Sequence, residues 1–269
     1  MTSRLFKGRS WTLAHCNLCA QHYTSPLPTD ADIASFYAGD YHAPLREADG
    51  SERAFGEKYS RYVNTLSRFV PNGRVLDIGC ATGLLVKRLI DRGYDALGIE
   101  LNARSAEYGR RTFGIDIRNQ PLEACAFEPQ SFDGIFLTDV LEHTRSPLDF
   151  LREVHRILRP GGCAVITFPD IRSVESHYLK MLATLLRRDW IWNTCHIPLH
   201  TWEFTRPTAS ALFGSAGFEV AAFSRSQPPA ESQPSNLLTL IHAPLRLLSL
   251  PIAHTVLGTQ MEFVLRKVD

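Results

Sequence analysis

At 269 residues, with 29 Lys and Arg against 28 Asp and Glu, the chain is nearly neutral and long enough to bury a full α/β core. Its net charge of +1 excludes the broad basic field that draws proteins to nucleic acid. Six scattered cysteines, at 16, 19, 80, 125, 163 and 195, exclude a dense disulfide framework, so a reducing cytoplasm is the expected compartment. The first ten residues contain no apolar signal-peptide core. The most apolar stretch, 236–258, is broken by His242, Pro244, Arg246, Pro251 and His254 and makes a poor spanning helix.

The first pattern with chemistry in it is Cys16-Asn17-Leu18-Cys19, flanked by His15 and His22. One C-x-x-C pair gives only two of the four ligands of a structural zinc, so no metal is assigned. Tyr37 and Tyr41 follow, suited either to covering a ligand or to packing an N-terminal arm. Residues 55–69 carry Tyr59, Tyr62, Val63, Leu66 and Phe69 at helical spacing, and Pro71-Asn72-Gly73 ends that helix.

A strand at 74–79 then runs into Gly79-Cys80-Ala81-Thr82-Gly83, with Asp77 two residues ahead of the first glycine. A helix from Leu84 to Arg92, with Leu85, Val86, Leu89 and Ile90 on its apolar side, leads to a strand at 96–100 that ends on Glu100. Glycine permits close backbone approach to a ligand. A carboxylate at the end of the second strand can accept from both hydroxyls of a ribose. The turn is not G-x-G-x-x-G, and Asp77 would repel a pyrophosphate, so a ligand with positive charge fits better. A helix over 103–112 and a short strand at 115–118 precede Asn119-Gln120-Pro121-Leu122. A nearly all-apolar strand at 132–138 is expected to be covered on both faces. Ser146, Pro147 and Asp149 form a capping-box start for a helix with Leu151, Val154, Ile157 and Leu158 inward and Gly161-Gly162 as its stop. A strand at 163–168 ends at Pro169-Asp170. This alternation predicts a doubly wound, mostly parallel sheet with ligands at the carboxyl ends of its strands. Those ends hold Asp77, Glu100, the 117–122 turn, Asp139 to His143, and Pro169-Asp170.

With Asp77, the glycine turn and Glu100 in place, the segment resembles the class I S-adenosylmethionine-dependent methyltransferases. Leu141-Glu142-His143, Arg159-Pro160-Gly161-Gly162, His200 with Phe204, and Ala216-Gly217-Phe218-Glu219 are similar to a bacterial branch of that family. The branch includes ubiquinone-type O-methyltransferases and enzymes for small molecules and sugars. The resemblance implies a Rossmann-like sheet of seven strands, closed by an antiparallel strand at 260–267, with a short N-terminal appendage. It divides the chain into an arm, 1–54, and a methyltransferase domain, 55–269, with apolar insertions at about 171–206 and 226–258. Many members of the branch carry an N-terminal zinc ribbon with two knuckles, of which Cys16 to Cys19 resembles the second.

By the same resemblance, S-adenosylmethionine is the cofactor, held by Asp77, Gly79, Cys80, Ala81, Gly83, Glu100, Leu101, Gln120, Leu122 and Thr138. Leu122 would stack on the adenine, though a plain turn before a helix explains it as well. His143, after the fourth strand, is the candidate general base, since imidazole titrates near neutral pH; bracing a substrate loop is its other reading. Glu142 would orient that ring or cap a helix. His196 and His200 are assigned to the acceptor rather than to a metal, because Pro198 between them spoils a regular helix. Residues 178–192 place Leu179, Leu182, Leu185, Leu186 and Trp190 along one face beside Lys180, Arg187 and Arg188. That stripe suits a peripheral membrane or lipid-substrate surface, or a packed helix or homodimer face. The expected activity is methyl transfer to a small-molecule, sugar or lipid-linked acceptor, most simply to oxygen. A nicotinamide-dependent reductase and a non-catalytic nucleoside-binding protein are the rival classes.

Overall fold

A computed structural model describes residues 2–6, 8–37, 48–173, 198–226 and 258–268. The side chains of residues 2–6, 34, 36–37 and 48–54 fall outside that description, as do His196, Tyr41, the 178–192 stripe and nearly all of the 236–258 stretch.

The chain opens with β1 (Thr2–Phe6), β2 (Arg9–His15) and β3 (His22–Ser25), then α1 (Asp30–Tyr37) and α2 (Ala48–Ser67). The alternating unit follows: β4 (Arg74–Ile78), α3 (Leu84–Asp91), β5 (Asp95–Ile99), α4 (Ala103–Phe113), β6 (Ile117–Arg118), β7 (Phe132–Thr138), α5 (Pro147–Ile157) and β8 (Leu158–Pro169). The last elements are β9 (Trp202–Glu203), α6 (Arg206–Ser215), β10 (Phe218–Ser226) and β11 (Gln260–Lys267).

Seven strands join in the order β10-β11-β8-β7-β4-β5-β6. β4 pairs in parallel with both β5 and β7, and β7 in parallel with β8. β11 runs antiparallel between β8 and β10, as expected for the closing strand. The alternation of side chains along each strand separates two apolar layers. Val75, Phe136, Val165 and Val264 meet Tyr62 and Leu66 of α2 and Leu85 and Leu89 of α3. Leu76, Ile135, Ile166 and Phe263 meet Leu151, Val154 and Ile157 of α5 and Phe213 of α6. Helices on both faces leave the carboxyl edge of the parallel strands open to a ligand.

Several local expectations change. α2 begins at Ala48, seven residues earlier than its apolar spacing indicates. Ile90 is 39% exposed and does not join the inward face of α3. Pro160 disfavours helical backbone at the residue before it, Arg159, and α5 stops at Ile157; Leu158 is extended and opens β8, which passes through Gly161 and Gly162. Ser146 makes no capping bond, since its hydroxyl donates to Asp149 at 2.7 Å. The third parallel strand is only two residues long.

The N-terminal appendage is itself a sheet, with order β1-β2-β3-β9. Its last strand returns from beyond the parallel unit, with His22 opposite Glu203 and Tyr23 opposite Trp202.

Candidate active site

β4 delivers Asp77 and then turns through Gly79 at φ +74°. A Cβ on Gly79 would lie 2.5 Å from Val140 Cγ2, so glycine is needed both for its conformation and for contact with the turn after β7. Glu100 closes this loop. One carboxylate oxygen accepts from the Ala81 N–H at 2.9 Å and the other from the Asn102 N–H at 2.7 Å. Asp77 is 1% exposed, and its Oδ1 has no hydrogen-bond partner. Burial, and then the neighbouring Glu100 charge, push its carboxyl well above the usual range. Burial pushes the Cys80 thiol up as well.

The next residues separate into different roles. Asn119 donates to the Glu100 and Leu101 carbonyls, at 2.7 and 3.0 Å, and so fastens the end of β6 to the end of β5. Leu122 is buried in the core layer with Ile78 and Ile99, whereas Leu101 is exposed, Gln120 is half-buried and Thr138 ends β7 half-buried.

Across the same edge, a 3₁₀ turn at Leu141–His143 follows β7. The segment before β9 is stitched onto it. The Thr201 N–H donates to the Glu142 carbonyl at 2.8 Å, and Trp202 Nε1 donates to the Thr144 carbonyl at 2.9 Å. Thr24 of β3 holds that segment from behind, its hydroxyl donating to the His200 carbonyl at 2.6 Å. This clamp brings the His143 and His200 rings to 4.8 Å, edge to face. His143 Nδ1 lies 2.8 Å from the Leu199 carbonyl, and His200 Nδ1 lies 3.0 Å from Glu203 Oε1. Burial pushes the His200 imidazole down to about 4, against the pull of Asp139, so it is neutral at neutral pH. Glu142 neither orients a ring nor caps a helix: both its oxygens are buried without a partner, and burial raises its carboxyl well above the usual range. Glu142, His143 and His200 each offer a ligand atom within 4.8 Å of the others, a donor set that a divalent cation could also use.

Residues 51–222 match the family described as the methyltransferase domain. The chain belongs to that family. A curated relative of the methyltransferase, the ubiquinone biosynthesis O-methyltransferase of Roseobacter denitrificans, is 36% identical over 128 residues, covering 46% of this chain and 51% of the relative. The chain thus spans about half the length of the curated relatives it matches. A S-adenosylmethionine-dependent methyltransferase from Archaeoglobus fulgidus superposes with a TM-score of 0.58 at 15% identity, over 85% of this chain and 100% of the other. The [4+2]-cyclase SpnF superposes at 0.61 with 16% identity, over 90% and 98%. These likenesses establish the fold, and a cyclase among them illustrates why function has to be read from the site.

The methyltransferase's loop fits S-adenosylmethionine. Asp77 keeps an unpaired buried oxygen for a cationic group, and the cradle at Gly79 leaves no room for a Cβ.

Sequence reasoning missed several residues around this site. Lys58 of α2 is buried, 3.3 Å from Asp139 Oδ2 and 3.4 Å from Gln260 Oε1, and Gln260 also donates to Asp139. Burial holds the Tyr59 hydroxyl above its usual range, and the charges of Asp77 and Asp139 add to the effect. A lysine four residues ahead of the inward-facing Tyr62 was the available signal. For Glu203, the signal was its place three residues after His200. Asp170, placed at a strand end by the pattern, pairs with Arg225 at 2.6 Å and braces the β8 exit.

Proposed function

We propose that this methyltransferase moves a methyl group from S-adenosylmethionine to an oxygen of a small-molecule, sugar or lipid-linked acceptor, with His143 as general base. The hydrogen bond between His143 Nδ1 and the Leu199 carbonyl carries this reading. A carbonyl oxygen only accepts, so Nδ1 holds the proton and a neutral ring has its lone pair on Nε2. That is the form able to take a hydroxyl proton. The cofactor, when bound, supplies an electrophilic methyl group on a positively charged sulfur.

Asp77 would hold the ammonium of the cofactor. Each Glu100 oxygen uses one lone pair on a backbone N–H and retains another for a ribose hydroxyl. The backbone of Gly79, Cys80, Ala81 and Gly83 would line the methionine part, with Leu101, Gln120, Leu122 and Thr138 around the nucleoside. His200, fixed by Glu203, would form the acceptor wall, together with His196. The oxygen acceptor draws support from the curated relatives, which are named as O-methyltransferases. Near-neutral charge supports a small acceptor over nucleic acid, and free thiols at Cys16, Cys19, Cys80, Cys125 and Cys163 support the reducing cytoplasm. No described helix is long and apolar enough to cross a membrane. The basic, apolar stripe at 178–192 supports contact with a lipid surface or a second copy, and the division at 54/55 stays as read from sequence.

The test is incubation of the full chain with methyl-labelled donor and fractionated bacterial extract, followed by mass spectrometry. Label on an oxygen of a small molecule is expected. Label on nitrogen or carbon would remove the need for a hydroxyl base, and donor binding without any product would favour the non-catalytic class.

A further inference from the structure

The acceptor side holds more acid than a general base requires. Asp139 and Glu203 lie close enough for their charges to act on Glu142, and the cation that faces the three is Lys58, 3.3 Å from Asp139 Oδ2. Glu203 is matched by His200. Glu142 is not matched: it is 2% exposed, and neither of its carboxylate oxygens has a hydrogen-bond partner. Leaving a buried acid unpaired costs free energy that a bound partner would recover. One of those oxygens lies within 4.8 Å of a nitrogen of His143 and of His200, so the unpaired carboxyl faces the acceptor histidines.

Asp139 is the accessible member of the group. It follows β7 directly, its side chain is 42% exposed, and its backbone stands at φ +58°. That conformation costs a residue with a Cβ some energy and persists where surrounding contacts impose it. Here Lys58 from α2 and Gln260 from β11 hold the carboxylate from two elements.

We propose, resting on the methyl-transfer reading above, that the acceptor carries a protonated amine close to the hydroxyl that is methylated, as in an amino sugar or another amino alcohol, and that Asp139 and Glu142 receive that amine. An ammonium donates charge-assisted hydrogen bonds to Asp139, and in a site shielded from water the buried Glu142 acts on it without direct contact. Lys58 selects a monovalent guest, since it repels a divalent ion at the same place about twice as strongly as an ammonium. The closeness of Glu142 to His143 puts the amine within a few bonds of the reacting hydroxyl. A positive charge there eases departure of the hydroxyl proton. That proton passes to His143 as the oxygen–methyl bond forms and the methyl–sulfur bond breaks, its electron pair staying on sulfur. The amine keeps its own protons and is not methylated.

The full chain is given methyl-labelled donor and deproteinised bacterial extract, untreated or with its amines blocked by an N-hydroxysuccinimide ester of acetic acid that is quenched before the donor is added. Oxygen-bound label that falls by roughly tenfold or more on blocking is the expected result, the scale of one lost charge-assisted contact. Oxygen label that survives blocking would overturn this inference, leave the acids to the donor's sulfonium, and keep the methyl-transfer reading intact. Label on the amine nitrogen would overturn it too, and no label in either extract would remove both readings. On the purified acceptor, Glu142→Gln should raise KM by roughly tenfold with a smaller change in kcat, at unchanged donor affinity and unfolding midpoint. Asp139→Asn, which tolerates the same backbone conformation, should show the same split. A fall in kcat alone in both variants, or turnover lost to chelation and restored by a divalent cation, would overturn the proposal.

Discussion

The proposed cofactor side and the proposed acceptor side share one edge of the sheet but are built in opposite ways. Asp77, the glycine turn and Glu100 belong to a single β4–α3–β5 unit, and the bonds from Ala81 and Asn102 to Glu100 close that cradle locally. The acceptor side joins the turn after β7 to a segment more than fifty residues later and to a strand near the start of the chain. It also carries an unpaired buried Glu142 and a histidine driven neutral by burial. Local construction gives a preformed cradle with one open oxygen at Asp77. Distant construction makes acceptor chemistry depend on contacts that cofactor binding does not need, so the two functions should separate under mutation.

The largest effect is expected at His143. His143→Ala should lower turnover by roughly 10²–10⁴, the usual scale for a positioned acid–base group, with cofactor affinity nearly intact by calorimetry. Loss of cofactor binding in that variant would show that the two sides are one structural unit. Glu100→Ala should weaken the cofactor by about 1.5–3 kcal/mol, as for hydrogen bonds to a charged group, since both the ribose partner and the loop clasp disappear. Thr24→Val, on the far side of the clamp, should cost about 0.5–1.5 kcal/mol in denaturant unfolding and reduce turnover more than donor affinity. Ser146→Ala should stay within about 0.5 kcal/mol, because the hydroxyl caps no helix N–H. Chelation should leave turnover unchanged if His143 serves as a base. Activity lost to chelation and restored by a divalent cation would reassign Glu142, His143 and His200 as its ligands.

What the sequence made legible follows the same division. Strand-and-helix alternation, the glycine turn and the spacing of Glu100 are short-range signals, and the parallel sheet, with the turn beside Asp77 and Glu100, appeared where they indicated. The identity of α5 was readable as well, but its end was not, because Pro160 outweighed the glycine pair as a stop signal. On the acceptor side, His143 and His200 were visible as residue types, whereas the β3–β9 pairing that unites them lies in no local pattern. Glu203 lies only three residues from His200, whereas Lys58 meets Asp139 and Gln260 only when α2 packs on the sheet. Contacts of this range carry no periodicity to read.

Asp77 decides the account most directly. Its carboxyl is raised by burial and by Glu100 in the ligand-free protein. A raised acid contributes stability that is present below its unfolded value and lost as pH climbs through its folded value. Ligand-free stability should therefore fall as pH rises through that window, and Asp77→Asn should flatten the slope. A cationic group bound by Asp77 requires the carboxylate, so binding below the raised value must release a proton. The decisive measurement is calorimetry of S-adenosylmethionine binding in two buffers of different ionisation enthalpy, on wild type and Asp77→Asn. The account predicts tight binding with proton release in wild type, and weakened binding without release in the variant. Equal affinity in the two proteins, with no proton released by either, would contradict it.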